Sequence, residues 1–276
     1  YAVTVAEMMA LAKEAGLDND PATDAPNTGV VYFRVRAYAG ESTATNVEQL
    51  SDATAVNVEL AEDTSGEVQL PMIYMVGNFQ AAGGYGSDWT PADGASLAAS
   101  DIGKTDFEGF VYINVTSPEF KFLPTNEGWD GDFGDAGTTS GVYTGILKQV
   151  DEVNAGTPDG TGGYFWVKAD TEKLTYELTE TNWGVIGDAT PTLWDADTDM
   201  TYDADARLWT VTLDLVGGKF IKFRANDAWD INLGDTDADG TMEFGGSDIE
   251  VTESGNYTIT LDLSHQRHYS YSLTKN

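Results

Sequence analysis

The chain has 276 residues, which is enough for two or three domains and a sizeable hydrophobic core. Its 46 acidic residues against 14 Lys and Arg give a net charge of -32, which repels phosphate backbones and anionic membranes, so we expect no nucleic-acid partner. The absence of cysteine excludes disulfides and thiolate metal sites, and the 30 Gly, 13 Tyr, 11 Phe and 7 Trp favour an all-β fold.

Residues 1–70 combine one predicted helix with two predicted strands. Apolar residues near helical spacing precede Gly16, a residue type that commonly ends helices. Alternation from Val30 to Tyr38 predicts a strand, and Ala53–Leu60 predicts another. Because so few elements are marginal as a domain, we interpret residues 1–70 as the C-terminal part of a fibronectin- or immunoglobulin-like β-sandwich whose first strands lie outside this chain.

The rest of the chain consists of two similar segments, which we call the first repeat (residues 71–181) and the second repeat (residues 182–276). Each begins with a short apolar strand that ends at a glycine, Gly77 or Gly187, followed by a polar loop with a tryptophan and a long strand. Their size of about a hundred residues and their many short strands predict tandem immunoglobulin-like β-sandwich domains in an all-β chain.

Both repeats close with a hairpin, and the first repeat also carries an insertion. Matching the hairpins aligns Tyr164 with Tyr257 and Tyr176 with Tyr271. The insertion, Gly141–Gly163, is rich in Gly, Thr and Asp, so we expect it to form an extended loop.

The repeats are most alike in FKFLPTNEGWDGDFGD, residues 120–135, and FIKFRANDAWDINLGD, residues 220–235. Aligning these two segments pairs Lys121 with Lys222, Asn126 with Asn226, and Trp129 with Trp229. Each segment predicts one strand followed by a loop that holds a tryptophan near a cation and an amide.

Alternation along the second of these strands separates core residues from outward-facing residues. Ile221 and Phe223 are predicted to lie in the core, whereas Lys222 and Arg224 face the other side. The lysine can then approach the tryptophan of the following loop. An ordinary surface charge is the alternative interpretation of each lysine.

The tryptophans fall into two groups. Trp166 and Trp209 lie on alternating strands and are expected in the core. Four others lie among turn residues, two in each repeat: Trp89, Trp129, Trp194 and Trp229. We expect the two loop tryptophans of each repeat to lie side by side, because pyranose rings pack their C–H faces on indole while Lys, Arg and Asn bind the hydroxyls.

Possible metal ligands have simpler interpretations. The stretch Asp235–Gly240 resembles the start of an EF-hand loop, but its twelfth position is Gly246 where a bidentate Glu is required, so an Asx-type turn is favoured over calcium. The acidic run 195–199 is equally ambiguous. His265 and His268, placed on a strand, would face opposite sides and not share a zinc ion. We predict no metal and no cofactor.

We also predict no catalytic residues. No nucleophile elbow, phosphate-binding glycine loop or HExxH motif is present. With 46 carboxylates, close acid pairs arise by chance, and a small sandwich rarely encloses the desolvated pocket that a catalytic carboxylate needs. We therefore expect a binding protein rather than a glycosidase.

The order of these segments resembles a known family. VYFRVRAYAG and SDATAVNVEL, followed by the two KF…N…WD…G segments, are similar to the SusE and SusF group of outer-membrane starch-binding lipoproteins. The resemblance implies non-catalytic binding of α-glucans at the cell surface of a Gram-negative bacterium, beside an outer-membrane glycan transporter complex. It also implies a lipid anchor on a cysteine, which this chain lacks.

Carried over by matching position, the resemblance implies two carbohydrate sites. The second repeat would use Trp194, Trp229 and Lys222, with Arg224 and Asn226 as additional contacts. The first repeat would use Trp89, Trp129 and Lys121, with Asn126 as an additional contact. Leu123 stands at the position of Arg224, so the first site is expected to offer fewer hydrogen bonds. The alternatives are a structural or adhesive surface protein with sandwich spacers, and a binder of a different glycan.

Overall fold

The computed structural model describes residues 5–18, 26–39, 47–60 and 70–276. The described chain is nearly all β, with several antiparallel sheets that form β-sandwiches, so the predicted fold class is confirmed. The chain divides into two compact units, Tyr1–Pro71 with Asp101–Gly103, and Met72–Ser100 with Lys104–Asn276. In the ranges that the structure describes, no helix is long and apolar enough to cross a membrane.

The predicted helix is present as α1, Val5–Glu14. Its end forms a Schellman motif, in which the N–H of Leu17 donates to the carbonyl of Ala12 (2.9 Å) and that of Gly16 to Lys13 (3.0 Å). Gly16 adopts a φ of 80°, which explains why glycine stands there. Leu17 and Ala12 also enter a small apolar core with Val31 and Val58.

The single strand predicted over residues 30–38 is wrong, because the chain forms two strands there. They are β1, Thr28–Phe33, and β2, Arg36–Ala39; β3, Val47–Leu50, and β4, Thr54–Glu59, follow. β1 pairs with β4 and β2 pairs with β3, so the chain changes partner between them. Val35 lies at the break and exchanges hydrogen bonds with Ser51, donating to its hydroxyl and accepting from its N–H (2.9 Å each).

The first repeat forms a six-stranded antiparallel sheet in the order β12-β11-β7-β6-β5-β8, with β9 paired to β10 beside it. The strands are β5, Met72–Gly77; β6, Ala95–Ala99; β7, Asp106–Ile113; β8, Phe120–Leu123; β9, Gly134–Asp135; β10, Leu147–Lys148; β11, Gly163–Asp170; and β12, Thr175–Glu180, with one turn of 3-10 helix at Pro91–Asp93. Bridges from Phe122 to Phe133 and from Ile146 to Thr175 wrap these strands around one apolar core.

The insertion 141–163 is not the extended loop we expected. Its residues Leu147 and Ala155 are fully buried in the core of the first repeat. β10 pairs with β9, and Ala155 bridges to Phe120, so the insertion folds back along the sheet.

The second repeat follows the same plan with a ten-stranded sheet. Its strands are β13, Trp183–Ile186; β14, Thr198–Asp199; β15, Thr201–Asp203; β16, Leu208–Leu215; β17, Lys219–Ala225; β18, Asn232–Gly234; β19, Thr241–Phe244; β20, Ile249–Val251; β21, Gly255–Asp262; and β22, Tyr269–Lys275. The path runs β14-β13-β17-β18-β19-β22-β21-β16-β15, with β20 added to β17. Its two ends are separated in the chain only by buried Met200, so the sheet wraps around its core.

Several predicted core positions are confirmed. Ile221 and Phe223 are fully buried on the inner face of β17, and Trp209 is buried on β16. The hairpin alignment is wrong by one residue. When Tyr176 and Tyr271 are taken as equivalent, the strand pairing makes Phe165, not Tyr164, the residue equivalent to Tyr257. A shift of one residue moves a side chain to the other face of a strand.

Tyr164 and Trp166 consequently face the second repeat rather than the core of their own. Trp166 is half-buried; its ring stacks on Phe244 at 4.6 Å and its indole N–H donates to Glu108 (2.9 Å). Phe110 is buried between them and contacts the rings of Trp183 and Tyr269. We call this cluster of Phe110, Tyr164 and Trp166 with Trp183, Trp209, Phe244 and Tyr269 the aromatic junction.

Both repeats therefore belong to one compact unit. Arg267 of the second repeat adds hydrogen bonds across the junction, to the carbonyls of Ala98 (3.2 Å) and Asp106 (2.9 Å). Domain boundaries at residues 70/71 and 181/182 stay a prediction.

We expect Phe110→Ala to lower the free energy of unfolding by about 3–5 kcal/mol, because it removes the ring at the centre of the junction and leaves a cavity. Urea denaturation of the whole chain measures this change. Phe220→Ala is the matched control, since that ring is 40% exposed and its loss should change stability by no more than about 0.5 kcal/mol. Equal effects of the two substitutions would contradict the role of the junction.

Candidate functional site

The two loop tryptophans of the first repeat lie side by side. Trp89 is in the loop between β5 and β6, and Trp129 is in the loop between β8 and β9. Their ring centroids are 6.2 Å apart and their planes are tilted by 35°. We call this pair the first platform.

The second repeat reproduces this geometry. Trp194, between β13 and β14, and Trp229, between β17 and β18, have centroids 6.1 Å apart and planes tilted by 37°. We call this pair the second platform. Trp129, Trp194 and Trp229 are 37–46% exposed, whereas Trp89 is partly buried. Both repeats thus hold two large apolar rings at the surface with one mutual arrangement.

The glycine at the end of each first strand has a steric reason. A Cβ on Gly77 would lie 2.1 Å from the carbonyl oxygen of Glu119, and one on Gly187 would lie 2.1 Å from that of Phe220. No side chain fits at either position, because the backbone of the neighbouring strand passes directly beside it. The loops that carry Trp89 and Trp194 begin at these two points.

Buried polar groups fix the loop of Trp89. Gln80 is fully buried, accepts the N–H of Gly77 (3.0 Å) and donates to the carbonyl of Thr90 (2.9 Å). Trp89 itself has a φ of 55°. This conformation is unfavourable for a bulky residue and persists only where the surrounding structure imposes it. Its N–H donates to the carbonyl of Gly77 (3.1 Å), so the loop is held by its own ends.

The loops that carry Trp129 and Trp229 are closed by residues at equivalent positions, through the backbone in the first repeat and a side chain in the second. Asn232 donates from its amide to the carbonyl of Trp229 (2.8 Å). In the first repeat, the backbone N–H of Asp132 donates to the carbonyl of Trp129 (3.3 Å). Both bonds tie the tryptophan to the start of the next strand.

Arg224 lies beneath the second platform. Its guanidinium carbon is 5.2 Å from the ring of Trp229, and Nη2 forms an ion pair with Asp197 (2.8 Å) whose side chains are 8% and 2% exposed. The cation thus stacks on the indole while its charge is balanced from below.

Arg224, Asp197 and Asp227 shift one another's pKa values. Burial would raise the pKa of Asp197, but the hydrogen bonds from Arg224 and Asp227 outweigh it and leave the pKa lowered. The hydrogen bond to Asp197, together with its negative charge, raises the pKa of Asp227. Asp197 therefore stays ionised against the guanidinium.

Lys222 lies on the same outward face of β17 as Arg224, one pleat away. It is partly exposed, and within the described residues it has neither a hydrogen bond nor an ion pair. Its three N–H donors are free to meet a ligand beside the second platform.

Lys121 has a different environment in the first repeat. Its ammonium forms ion pairs with Asp132 (2.7 Å) and with Glu152 (2.6 Å), and all three side chains are 13–19% exposed. Burial would lower the pKa of Lys121, but these two carboxylates raise it. Burial would raise the pKa of Glu152, but Lys121 lowers it.

The remaining predicted contacts lie away from the polar groups just described. Asn226 has a φ of 59°, accepts the N–H of Asn182 (2.9 Å) and donates to the carbonyl of Glu180 (2.8 Å), so its amide holds the start of the second repeat. Asn126 is exposed in the loop before Trp129. Leu123, at the position of Arg224, is fully buried.

Several residues beside the platforms were missed by sequence reasoning. They are Asp132, Glu152, Asp197, Asp227 and Asn232. Asp132 and Asn232 carry a signal, since they occupy the same place in the two similar segments, and so does Asp227, which aligns with the acidic Glu127. Asp197 lies in the acidic run 195–199, which we considered only as a metal site. Glu152 lies in the insertion, which has no counterpart in the second repeat.

The stretch that resembles an EF-hand is an amide-capped loop. Asp239 accepts the N–H of Thr241 two residues on (2.8 Å), which is the Asx-type turn we favoured. Asp235 accepts the N–H groups of Asp239 (3.2 Å) and Gly240 (3.0 Å) and the hydroxyl of Tyr271 (3.0 Å). Burial, followed by this hydrogen bond, raises the pKa of Tyr271 to about 12. Asp135 and Tyr176 make the same bond in the first repeat (2.6 Å).

The two histidines are exposed, as expected, but they lie in the turn between β21 and β22 rather than on a strand. The N–H of His268 donates to the carbonyl of His265 (3.0 Å), so the chain reverses between them. Among residues 5–18, 26–39, 47–60 and 70–276, no group of three or more His, Asp or Glu side chains is arranged to hold a metal ion.

A groove of about 610 Å³ is lined by residues of the first repeat together with Arg267 of the second, and by no platform tryptophan. The charged side chains along it are paired with one another, Lys168 with Glu177 (3.5 Å) and Lys173 with Asp170 (2.7 Å). The platforms, rather than this groove, combine exposed rings with available polar groups.

Comparison with known proteins gives a remote structural likeness. No family model matches the chain, and no curated protein matches it. Among solved structures, the chain is similar to the crystal structure of SusF from Bacteroides thetaiotaomicron, with 12% sequence identity and a TM-score of 0.33. The match covers 98% of this chain and 62% of that one, so the chain spans less than two thirds of its length. A likeness this remote carries no argument about function.

We expect Asp197→Ala to lower the free energy of unfolding by about 3–5 kcal/mol, because it leaves the buried guanidinium of Arg224 without its partner. The double variant Asp197→Ala/Arg224→Leu should recover most of this loss, since the first repeat buries Leu123 at the same position. Urea denaturation of both variants measures the coupling. A double variant less stable than Asp197→Ala would contradict the pairing.

Proposed function

We propose that this chain binds glycans without cleaving them, one on each tryptophan platform. The observation that carries the proposal is the recurrence of one geometry in two repeats, 6.2 Å and 35° against 6.1 Å and 37°. Exposed indoles are costly to keep in water, and folding alone does not require them to pair twice in the same way. The C–H face of a sugar ring is a ligand that such a pair fits.

The tilt of the indoles favours a curved ligand over a flat one. Two planes inclined by 35° and 37° cannot both lie against one flat face, but they can each face one of two successive rings that turn relative to each other. Chains of α-linked glucose turn in this way. We therefore propose α-glucans, of which maltooligosaccharides are the short forms, as the ligand class.

Polar groups at the second platform suit the hydroxyl edge of such a sugar. Lys222, which has no partner among the described residues, offers donors on the same face as Arg224, and Arg224 stacks on Trp229. Vicinal hydroxyls at the edge of a ring accept such hydrogen bonds while the face of the ring rests on the indoles. Asn226 is engaged in the backbone of its own repeat and is left out of the proposed contacts.

The carboxylates beside the second platform support binding rather than hydrolysis. Asp197 is engaged in its ion pair with Arg224 (2.8 Å), and the hydrogen bond to it, together with its negative charge, raises the pKa of Asp227. Asp197 is also buried against Arg224 and cannot reach a ligand.

On the resemblance of residues 120–135 and 220–235 to the SusE and SusF group, we propose a place for the protein as well. It acts at the cell surface of the outer membrane, held there by a lipid anchor, and presents glycan to an outer-membrane transporter complex. Two platforms in one chain raise avidity for a long polymer through effective concentration.

A structural or adhesive spacer is the second candidate function, because the aromatic junction packs the repeats as a spacer would need. A spacer predicts no retention on any polysaccharide in affinity electrophoresis and tryptophan fluorescence indifferent to sugars. A glycan array on the whole chain then separates α-glucans from other glycans.

We expect Trp129→Ala/Trp229→Ala to lower the affinity for maltoheptaose by about 30-fold or more, because an aromatic hot spot contributes about 2 kcal/mol or more. Titration calorimetry on the whole chain measures this loss. Phe220→Ala is the matched control, since that ring is also exposed but lies outside both platforms, and it should bind as the unaltered chain does. Unchanged affinity in the double variant would overturn the site assignment.

A further inference from the structure

The two platforms agree in their tryptophans but differ in the polar groups beside them. The lysine of the first repeat is bonded to two carboxylates, whereas the lysine of the second has no partner within the described chain. This difference does not follow from the similar segments, in which both lysines occupy the same place.

In the first repeat, the polar network is closed. Lys121 directs two of its three N–H donors at Asp132 and Glu152 over 2.7 and 2.6 Å. All three side chains are mostly buried, so water screens the pairs less than it would on an open surface. A sugar hydroxyl has to compete with charge-assisted hydrogen bonds to reach this ammonium.

Glu152 is held firmly in this position by the insertion. The next residue, Val153, exchanges two backbone hydrogen bonds with Asp135, at 3.1 and 2.8 Å. Asp135 is fully buried and is bonded to Thr144 and Tyr176, so it cannot shift to release its neighbour. The insertion thus delivers a carboxylate to the lysine from 31 residues away in the chain.

In the second repeat, the same network is open. Asn232 replaces Asp132, and its amide donates to the carbonyl of Trp229. Among the described residues, Lys222 has neither a hydrogen bond nor an ion pair, and it is partly exposed. Its ammonium is therefore the accessible donor beside the second platform, whereas Asn232 Oδ1 and Arg224 Nε are buried and do not reach a ligand.

We propose that Glu152, assisted by Asp132, masks Lys121, so that the first platform binds glycan mainly by stacking and the second supplies the tighter site. This inference rests on the proposed function. Glu152 acts through Lys121 and is a positioning residue, and the insertion becomes the device that sets the difference in affinity between the two repeats.

The test uses the whole chain with one platform removed at a time and maltoheptaose as the probe. Trp229→Ala leaves the first platform, and Trp129→Ala leaves the second; calorimetry should show the second binding at least about tenfold more tightly. Adding Glu152→Gln to Trp229→Ala should raise the affinity of the first platform about three- to tenfold, the range of one hydrogen bond. Glu127→Gln is the matched control, because it removes an exposed charge from the loop before Trp129 and should change little.

A second measurement needs no glycan. Labelling of the folded chain with an amine-reactive reagent, read by peptide mass spectrometry, should be slow at Lys121 and several times faster there in Glu152→Gln. Labelling of Lys222 should be fast in both. These rates report the masking of the ammonium even where a tryptophan variant is less stable.

The outcomes separate the two proposals. Equal affinities of the two platforms, no gain on Glu152→Gln, or unchanged labelling of Lys121 overturns the inference while the proposed function stands. No binding of maltoheptaose by the unaltered chain overturns the proposed function, and the inference falls with it.

Discussion

Hydrogen bonding between strands that are distant in sequence is the constraint on which both platforms depend. β5 pairs with β8 and β13 with β17, and the loop after each of these strands carries one tryptophan. The paired strands are antiparallel, so these loops leave from opposite ends and must fold back before their indoles can meet. Close backbone contact at Gly77 and Gly187 fixes where the first loop of each pair begins. A displaced ladder would therefore part the tryptophans even if every loop residue were kept.

Charge beneath the platforms serves the fold in one repeat and remains available in the other. In a chain of net charge -32, a cation usually finds a carboxylate, and Lys121 finds two. Arg224 is balanced by Asp197 and stacks on Trp229, so the same pair supports the indole and the core below it. Within the described residues Lys222 has no ion-pair partner, since Asn232 stands at the position of Asp132 and the second repeat has no counterpart of the insertion that carries Glu152.

The local sequence was enough to predict the features that depend on the alternation of side chains along a strand or on the similarity of the two repeats. The inward position of Ile221 and Phe223, the β class and the presence of two tryptophans in each repeat all follow from residues close together in the chain. Features set by distant partners were not predictable. The break near Val35 reflects a change of strand partner, and Glu152 reaches Lys121 through a folded insertion. Trp166 faces the second repeat because Phe165 and Val167 take the inward positions of β11.

The aromatic junction requires the two repeats to follow each other in this order. Tyr164 and Trp166 line the outer face of β11, whereas β21 carries Thr258 and Thr260 at its outward positions. The outer face of β21 therefore has no aromatic residues like those of β11 against which another copy could pack. Exchanging the two repeats would expose the aromatic face of the first repeat to water, so the repeats cannot take each other's place in the chain.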